Sequence, residues 1–330
     1  MRYLEAKGER LSVIGLGTWQ FGSREWGYGA RYAEHSAGEI ARRAVELGVN
    51  LFDTAEIYGY GRSERILGEA IAEERDRAFI ASKLFPVMPI PAVISRRADA
   101  SARRLGVGEI DLYQLHWPNR LVPLAVQMDG MRQLVNRGRI HHVGVSNFSL
   151  GRWQAAERAL GGTVLTNQVR FNLVDRRPLA GMTKWAAEHG HVVMAYSPLA
   201  QGLLSARYDA ENRPGGMRAR QAAFLPESLE RVASLLAALR RVAESHDATP
   251  AQVALAWVVS HAGVVAIPGA SSVAQLEHNA AAADLELAVD ELSELTAAAE
   301  AYEPIERRQA ITTQLRERFP RTVGRVNGRL

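Results

Sequence analysis

Cysteine is absent from all 330 residues. That excludes disulfides, thiolate nucleophiles and every cysteine-ligated metal site. Lysine is nearly absent: Lys7, Lys83 and Lys184 are the only lysines among 40 basic side chains, so each one needs a reason. No stretch reaches the roughly 18 apolar residues of a membrane span, and Met1 to Trp19 lacks the unbroken apolar run of a secretory leader. The expected location is therefore the cytoplasm, with no membrane partner.

An excess of acid is also missing, since the formal net charge is +4. The excess base is local. Between Pro304 and Leu330, seven arginines face only Glu306 and Glu317, and the preceding residues are close to neutral. The expected organisation is one domain over residues 1–303 followed by a basic extension, 304–330, with no nucleic-acid partner. Nor is a nucleotide-binding glycine loop complete. Four G-x-G pairs begin at Gly15, Gly27, Gly59 and Gly106, but Gln20, Tyr32, Glu64 and Asp111 stand where the third glycine belongs. A paired-carboxylate hydrolase centre and a metal-ligand constellation are likewise not read in the sequence, so no metal is expected.

What is present is alternation of short apolar runs with longer amphipathic ones. Tyr3 to Ala6 and Arg10 to Val13, separated by Lys7-Gly8-Glu9, predict a β-hairpin. Strands are then predicted over Ile14–Thr18, Asn50–Thr54, Ala78–Leu84, Ile110–His116, His141–Ser146, Thr163–Arg170, His191–Ser197 and Val264–Pro268. Helices are predicted between them, the first from His35 to Leu47 after a loop over Ser23–His35, with others including Ser63–Glu74 and Pro178–His189. Runs such as Leu51-Phe52 and Val192-Val193-Met194 are apolar on both faces, as in parallel sheets. Eight such units favour an α/β fold, a (β/α)8 TIM barrel, over a doubly wound open sheet. Extra segments are a long loop over Ala200–Pro226, helices from about Ser228 and from Thr249-Pro250, and a helix over Val289–Tyr302.

In such a barrel the carboxyl ends of the strands form the active site. Asp53 ends the second strand, with Tyr58 in the loop beyond; Lys83 ends the third, and His116-Trp117 the fourth. Singly, each has a plainer use: Asp53 as a turn cap, Tyr58 as a loop aromatic, His116 as a core histidine. Lys83 on an apolar strand is harder to explain without a partner. Together the four form a coherent acid: Asp53 aims Lys83, the adjacent ammonium is expected to lower the tyrosine's pKa, and His116 bonds the substrate oxygen or the tyrosine. A second polar set, Ser146-Asn147, Gln168 and Tyr196-Ser197-Pro198-Leu199, closes strands five to seven. Pro268-Gly269-Ala270-Ser271-Ser272 then opens a helix suited to an anion.

These residues resemble the aldo-keto reductase family. The matching segments are Gly15-Leu16-Gly17-Thr18-Trp19, Phe52 to Gly59, Ser82-Lys83, Leu115-His116-Trp117-Pro118, Gly144 to Phe148, Gln168 and Tyr196 to Leu199, in the family's order. The resemblance implies NADP(H)-dependent reduction of aldehydes or ketones, with NAD(H) as the other possible cofactor. It implies Tyr58 as general acid, tuned by Asp53 and Lys83, with His116 orienting a small-molecule carbonyl. It further implies a cofactor held by Gly17, Thr18, Trp19, Asp53, Ser146, Asn147, Gln168 and Tyr196 to Leu199. The adenosine end falls to Gln201, Gly202, Pro268 to Ser272, Gln275, His278 and Asn279. Where many members carry a lysine and an arginine for the 2′-phosphate, Gly269 and Gln275 stand here. This looks more like the branch containing potassium-channel β subunits and bacterial general reductases. Arg207, Arg213, Arg218 and Arg220 of the long loop are then the candidates for the phosphate, Arg207 and Arg218 foremost. Trp19, Trp26, Tyr28, Tyr58, His116 and Trp117 are expected to wall the substrate pocket. The same scaffold also admits a nicotinamide-nucleotide-sensing regulatory protein with slow turnover.

Overall fold

Lys7 and Gly8 both adopt positive φ, 49° and 89°, the two-residue turn whose twist suits a hairpin. The strands on either side, β1 (Tyr3–Ala6) and β2 (Glu9–Ser12), accordingly pair antiparallel, Ala6 with Glu9 and Tyr3 with Ser12. The computed structural model describes residues 1–21, 30–215 and 218–305, apart from the side chains of 30–35 and 220. Beyond the hairpin, eight strands run parallel in chain order: β3 (Leu16–Gly17), β4 (Leu51–Asp53), β5 (Phe79–Leu84), β6 (Ile110–Leu115), β7 (Ile140–Ser146), β8 (Val164–Arg170), β9 (Val192–Tyr196) and β10 (Val264–Ala266).

The sheet closes on itself. The Gly15 amide donates to Ala266 O at 2.8 Å, the Ala266 amide to Val13 O at 2.8 Å, and the Gly17 amide to Pro268 O at 3.0 Å. A Cβ on Gly17 would stand 2.7 Å from the carbonyl oxygen of Ile267, so the glycine admits this close approach of first and last strands. The result is the (β/α)8 barrel. Its helices are α1 (Ala30–Glu46), α2 (Arg62–Ala70), α3 (Pro91–Leu105), α4 (Leu124–Asn136), α5 (Leu150–Leu160), α6 (Met182–His189), α7 (Pro226–Ser245), α8 (Pro250–Val259), α9 (Val273–Ala281) and α10 (Val289–Glu300). As expected, Thr249 caps α8, with Pro250 in its first turn.

Some boundaries differ from expectation. Residues 30–34 are helical rather than loop; half of the run Ala30 to Glu39 is Ala or Glu, good helix formers, and Gly38 does not interrupt it. The predicted helix over Ser63–Glu74 breaks after Ala70 into a tighter turn over Ala72–Arg77. That over Pro178–His189 is divided at Gly181, whose φ of 104° no α-helix accommodates. Among the described residues, no helix is long and apolar enough to cross a membrane.

Two apolar layers result. One lies between strands and helices; the other fills the barrel, where Leu51, Phe79, Ala81, Leu112, Leu165, Val192, Met194, Val265 and Ile267 meet. Ala6 and Leu11 of the hairpin join this inner layer and plug the amino-terminal end. Because side chains alternate along a strand, the inward positions are Leu51 then Asp53 on β4, Phe79, Ala81 then Lys83 on β5, and Leu112, Gln114 then His116 on and after β6. The outward partners Phe52, Ile80, Leu84, Tyr113 and Leu115 belong to the outer layer. The same alternation that builds an apolar floor thus delivers polar groups to the opposite mouth.

Candidate active site

Lys83 is fully buried and Asp53 nearly so. Register sets Asp53 beside Ala81, so Lys83, two residues on and facing the same way, reaches across it. Its Nζ donates to Asp53 Oδ2 at 2.8 Å, to Thr54 O at 2.7 Å and to Tyr58 Oη at 3.2 Å. Three acceptors match the three N–H bonds of an ammonium. Asp53 Oδ1 in turn accepts from Gln168 Nε2 at 2.6 Å, 115 residues away in sequence. Burial pushes the Asp53 carboxyl up and the Lys83 ammonium down, while each charge opposes the shift of the other.

Tyr58 hangs from a strained turn. Gly59, Tyr60 and Gly61 have φ of 54°, 55° and 82°, three successive left-handed residues of which Tyr60 is not glycine. The Tyr58 ring meets His116 edge to face at 5.8 Å, and His116 stacks on Trp117 at 3.8 Å. Burial, then the neighbouring Lys83 charge, drives the imidazole down to about 2, so His116 is neutral. Its Nδ1 is buried with no hydrogen-bond partner.

The Tyr58 pKa is not lowered as expected. Burial, with the Asp53 charge next, raises it well above 10. The Lys83 ammonium is already committed to Asp53, so desolvation of the phenolate wins. The phenol keeps its proton, and because Lys83 donates to its oxygen, the O–H is left to donate elsewhere.

The second polar set braces the first. Ser146 Oγ donates to Gln168 O at 2.9 Å. Asn147, at φ 63°, donates from Nδ2 to His116 O at 3.2 Å and accepts at Oδ1 from Tyr196 Oη at 3.0 Å. Beyond Tyr196 the backbone turns left-handed at Ser197, Ala200, Gln201, Gly202 and Ala206, with φ between 47° and 98°. Gln201 Oε1 is buried there without a partner.

A family model described as the aldo/keto reductase family matches residues 13–300. The chain belongs to the aldo/keto reductase family. It is an oxidoreductase, and its family acts on small carbonyl compounds. An uncharacterized oxidoreductase of Mycobacterium tuberculosis is 55% identical over 322 residues, covering 97% of this chain and all of that protein. The methylglyoxal reductase YeaE of Escherichia coli is 33% identical over 288 residues, covering 86% of this chain and 90% of its own. The crystal structure of an aldo/keto reductase from Klebsiella pneumoniae with NADP and acetate is 32% identical, with a TM-score of 0.72 over 93% of this chain and 97% of that one. The bacterial reductase side of the expected branch is thus the one these relatives populate.

The reductase brings Asp53, Tyr58, Lys83 and His116 together, along with Gln168, Ser146 and Asn147. Trp19 and Trp117 stand at the rim, 45% and 40% exposed, and Phe85 meets Trp117 edge to face at 5.5 Å. Trp26 and Tyr28 lie outside the described residues, as does all of the basic extension after Ile305. At the α9 turn, Gln275 Oε1 accepts from the Ser271 amide and hydroxyl at 2.9 and 2.6 Å, and Ser272 Oγ caps the Gln275 amide at 3.2 Å. Asn279 Nδ2 donates to Gly269 O at 3.3 Å. Arg213 is committed to its own loop, donating to Phe224 O and Ala219 O. Arg207 is exposed, and Arg218 begins a short turn over Arg218–Arg220.

Sequence reasoning missed the layer behind Lys83. Ser82 Oγ donates to Glu64 Oε1 at 2.6 Å, and Arg104 Nε to Glu64 Oε2 at 2.6 Å, with Glu64 wholly buried. The available signal was a glutamate on the apolar stripe of α2, one turn before Leu67 and Gly68. Ser63 likewise links Thr18 and Thr54 through hydroxyl contacts of 2.7 and 2.9 Å.

Proposed function

We propose that this reductase converts aldehydes or ketones to alcohols using NADP(H), with Tyr58 as the general acid. The observation that carries the reading is the direction of the hydrogen bonds at Tyr58. Lys83 donates to the phenol oxygen at 3.2 Å, so the phenol proton is free to be given to a carbonyl oxygen entering the mouth. Tyr58 holds its proton until that oxygen becomes more basic. The phenolate it then leaves faces the Lys83 ammonium, which Asp53 and Thr54 O keep in place. His116, neutral, offers a further polar contact to the same oxygen without adding charge.

The residues suit a nicotinamide dinucleotide. Tyr196 presents a half-buried ring held by Asn147, Gln201 has an orphaned buried oxygen, and the first turn of α9 carries amides suited to a phosphate. Ser146, Asn147, Tyr196 to Leu199, Gln201, Gly202 and Gly269 to Ser272 would hold it, with Gly17 to Trp19 and His278 nearby. Arg207 and Arg218 serve the 2′-phosphate in this reading. When bound, the cofactor supplies the hydride; this chain supplies position, the proton and the surrounding field. The apolar rim of Trp19, Phe85 and Trp117 favours carbonyls with an apolar or aromatic substituent.

Tyr58→Phe tests this directly. Turnover of a good aldehyde, followed at the nicotinamide absorbance, should fall by about 10²–10⁴. NADPH binding, titrated by tryptophan fluorescence, should be unchanged. Retained turnover removes Tyr58 as the acid; lost NADPH binding removes the division of labour.

A further inference from the structure

At the opposite end of the barrel from Tyr58, three potential ligands from two separate elements converge. Glu9 opens β2 of the hairpin; His141 and His142 are the second and third residues of β7. Glu9 Oε1 lies 2.9 Å from His142 Nε2 and 3.6 Å from His141 Nδ1, and the three ligand atoms fall within 4.8 Å of one another. The two imidazoles lie 4.4 Å apart, and the inner one, His142, packs against Phe79 at 6.2 Å, which limits its rotation.

We propose that Glu9, His141 and His142 bind one borderline divalent transition-metal cation, of the class of Zn²⁺. Two imidazole nitrogens and one carboxylate oxygen are the donor set such cations prefer over Mg²⁺ or Ca²⁺. With metal–ligand bonds of about 2.0–2.2 Å in a tetrahedron, neighbouring ligand atoms sit about 3.3 Å apart. The present separations of 2.9 and 3.6 Å straddle that spacing. Small rotations of His141, which is exposed, complete the site. Three protein ligands leave a fourth position for water, and Glu9 also lines a polar groove of about 560 Å³ that gives solvent access.

The cation would join the hairpin plug to a barrel strand 133 residues away, where one hydrogen bond between Glu9 and His142 now does so. It acts as a clamp on the floor, remote from the carbonyl chemistry. Binding only the folded state, it raises stability by mass action.

The test uses the full chain without a histidine tag, stripped with EDTA and titrated with Zn²⁺ by calorimetry in a non-coordinating buffer. One equivalent should bind, and saturating Zn²⁺ should raise Tm by about 2–5 °C. His141→Ala and Glu9→Gln should each weaken binding by about tenfold or more and abolish the Tm rise, with the apo Tm of the exposed His141→Ala close to wild type. His189→Ala, at the end of α6 where His189 stacks on Trp185 and lies 6.5 Å from His191, should change nothing. Wild-type binding that survives both His141→Ala and Glu9→Gln, or that is lost in His189→Ala, overturns the assignment, as does absence of any one-equivalent binding.

Discussion

The two ends of this barrel are built from the same strands and differ in every physical respect. At the floor, Leu51, Phe79 and Leu112 meet the plug residues Ala6 and Leu11. At the mouth, inward positions further along the same strands are Asp53, Lys83 and His116, all buried, with Lys83 bonded to Asp53 and His116 packed edge to face on Tyr58. The floor holds the fold by excluding water. The mouth holds charges that burial opposes, and each charge persists only because a matched partner stands beside it. Stability and chemistry are thus divided along the barrel axis.

Breaking the mouth should cost most. Lys83→Met leaves the Asp53 carboxylate buried without its counter-ion, so we expect a loss of about 3–5 kcal/mol in urea denaturation together with loss of turnover. Adding Asp53→Asn should recover much of the stability and none of the activity. Stability that does not recover would mean the pair is structural, and the division between ends would fall. At the floor, Leu11→Ala should cost about 2–5 kcal/mol by opening a cavity, with kcat/KM unchanged in the folded fraction. An equal loss of kcat/KM would show that the plug positions the mouth.

Gln168→Ala sharpens the comparison on a finer scale. It removes a 2.6 Å hydrogen bond to charged Asp53, so about 1.5–3 kcal/mol of stability should go, with a smaller loss of kcat than at Tyr58. Per unit of pH, the smallest effect comes from His116. His116 stays neutral down to about 2 in the folded chain, whereas the unfolded chain protonates it near its ordinary 6.5. Below about pH 6.5 the unfolded state therefore binds the extra proton, and stability falls as pH drops, by at most about 1.4 kcal/mol per unit from this group. His191, lowered by burial to about 4, acts in the same direction. His116→Asn should flatten the stability profile between pH 4 and 6.5 relative to wild type. An unchanged slope would show that His116 is not the neutral group described.

Much of this was legible in one dimension. The rarity of lysine singled out Lys83, and the strand ends placed Asp53 and His116 at one mouth because alternation and parallel register leave little freedom. Gln168 was legible as a site residue, yet its bond to Asp53 was not, since nothing in the local sequence couples positions 115 residues apart. Glu64 escaped because its partner Ser82 lies on another element. The same holds for Glu9, His141 and His142, whose meeting depends on where the hairpin folds across the floor.

Local periodicity settled the elements, their order and the polar residues that end the strands, because those are properties of 3.6- and 2-residue repeats. Protonation was decided only by the packed barrel. A tyrosine beside an ammonium reads as acidic in sequence, but the desolvation that raises the Tyr58 pKa depends on the three-dimensional enclosure and on a Lys83 charge already satisfied by Asp53. The left-handed turn that aims the phenol, the amide that holds the aspartate and the convergence at the floor are likewise consequences of closure, which brings distant parts of one chain within a few ångströms.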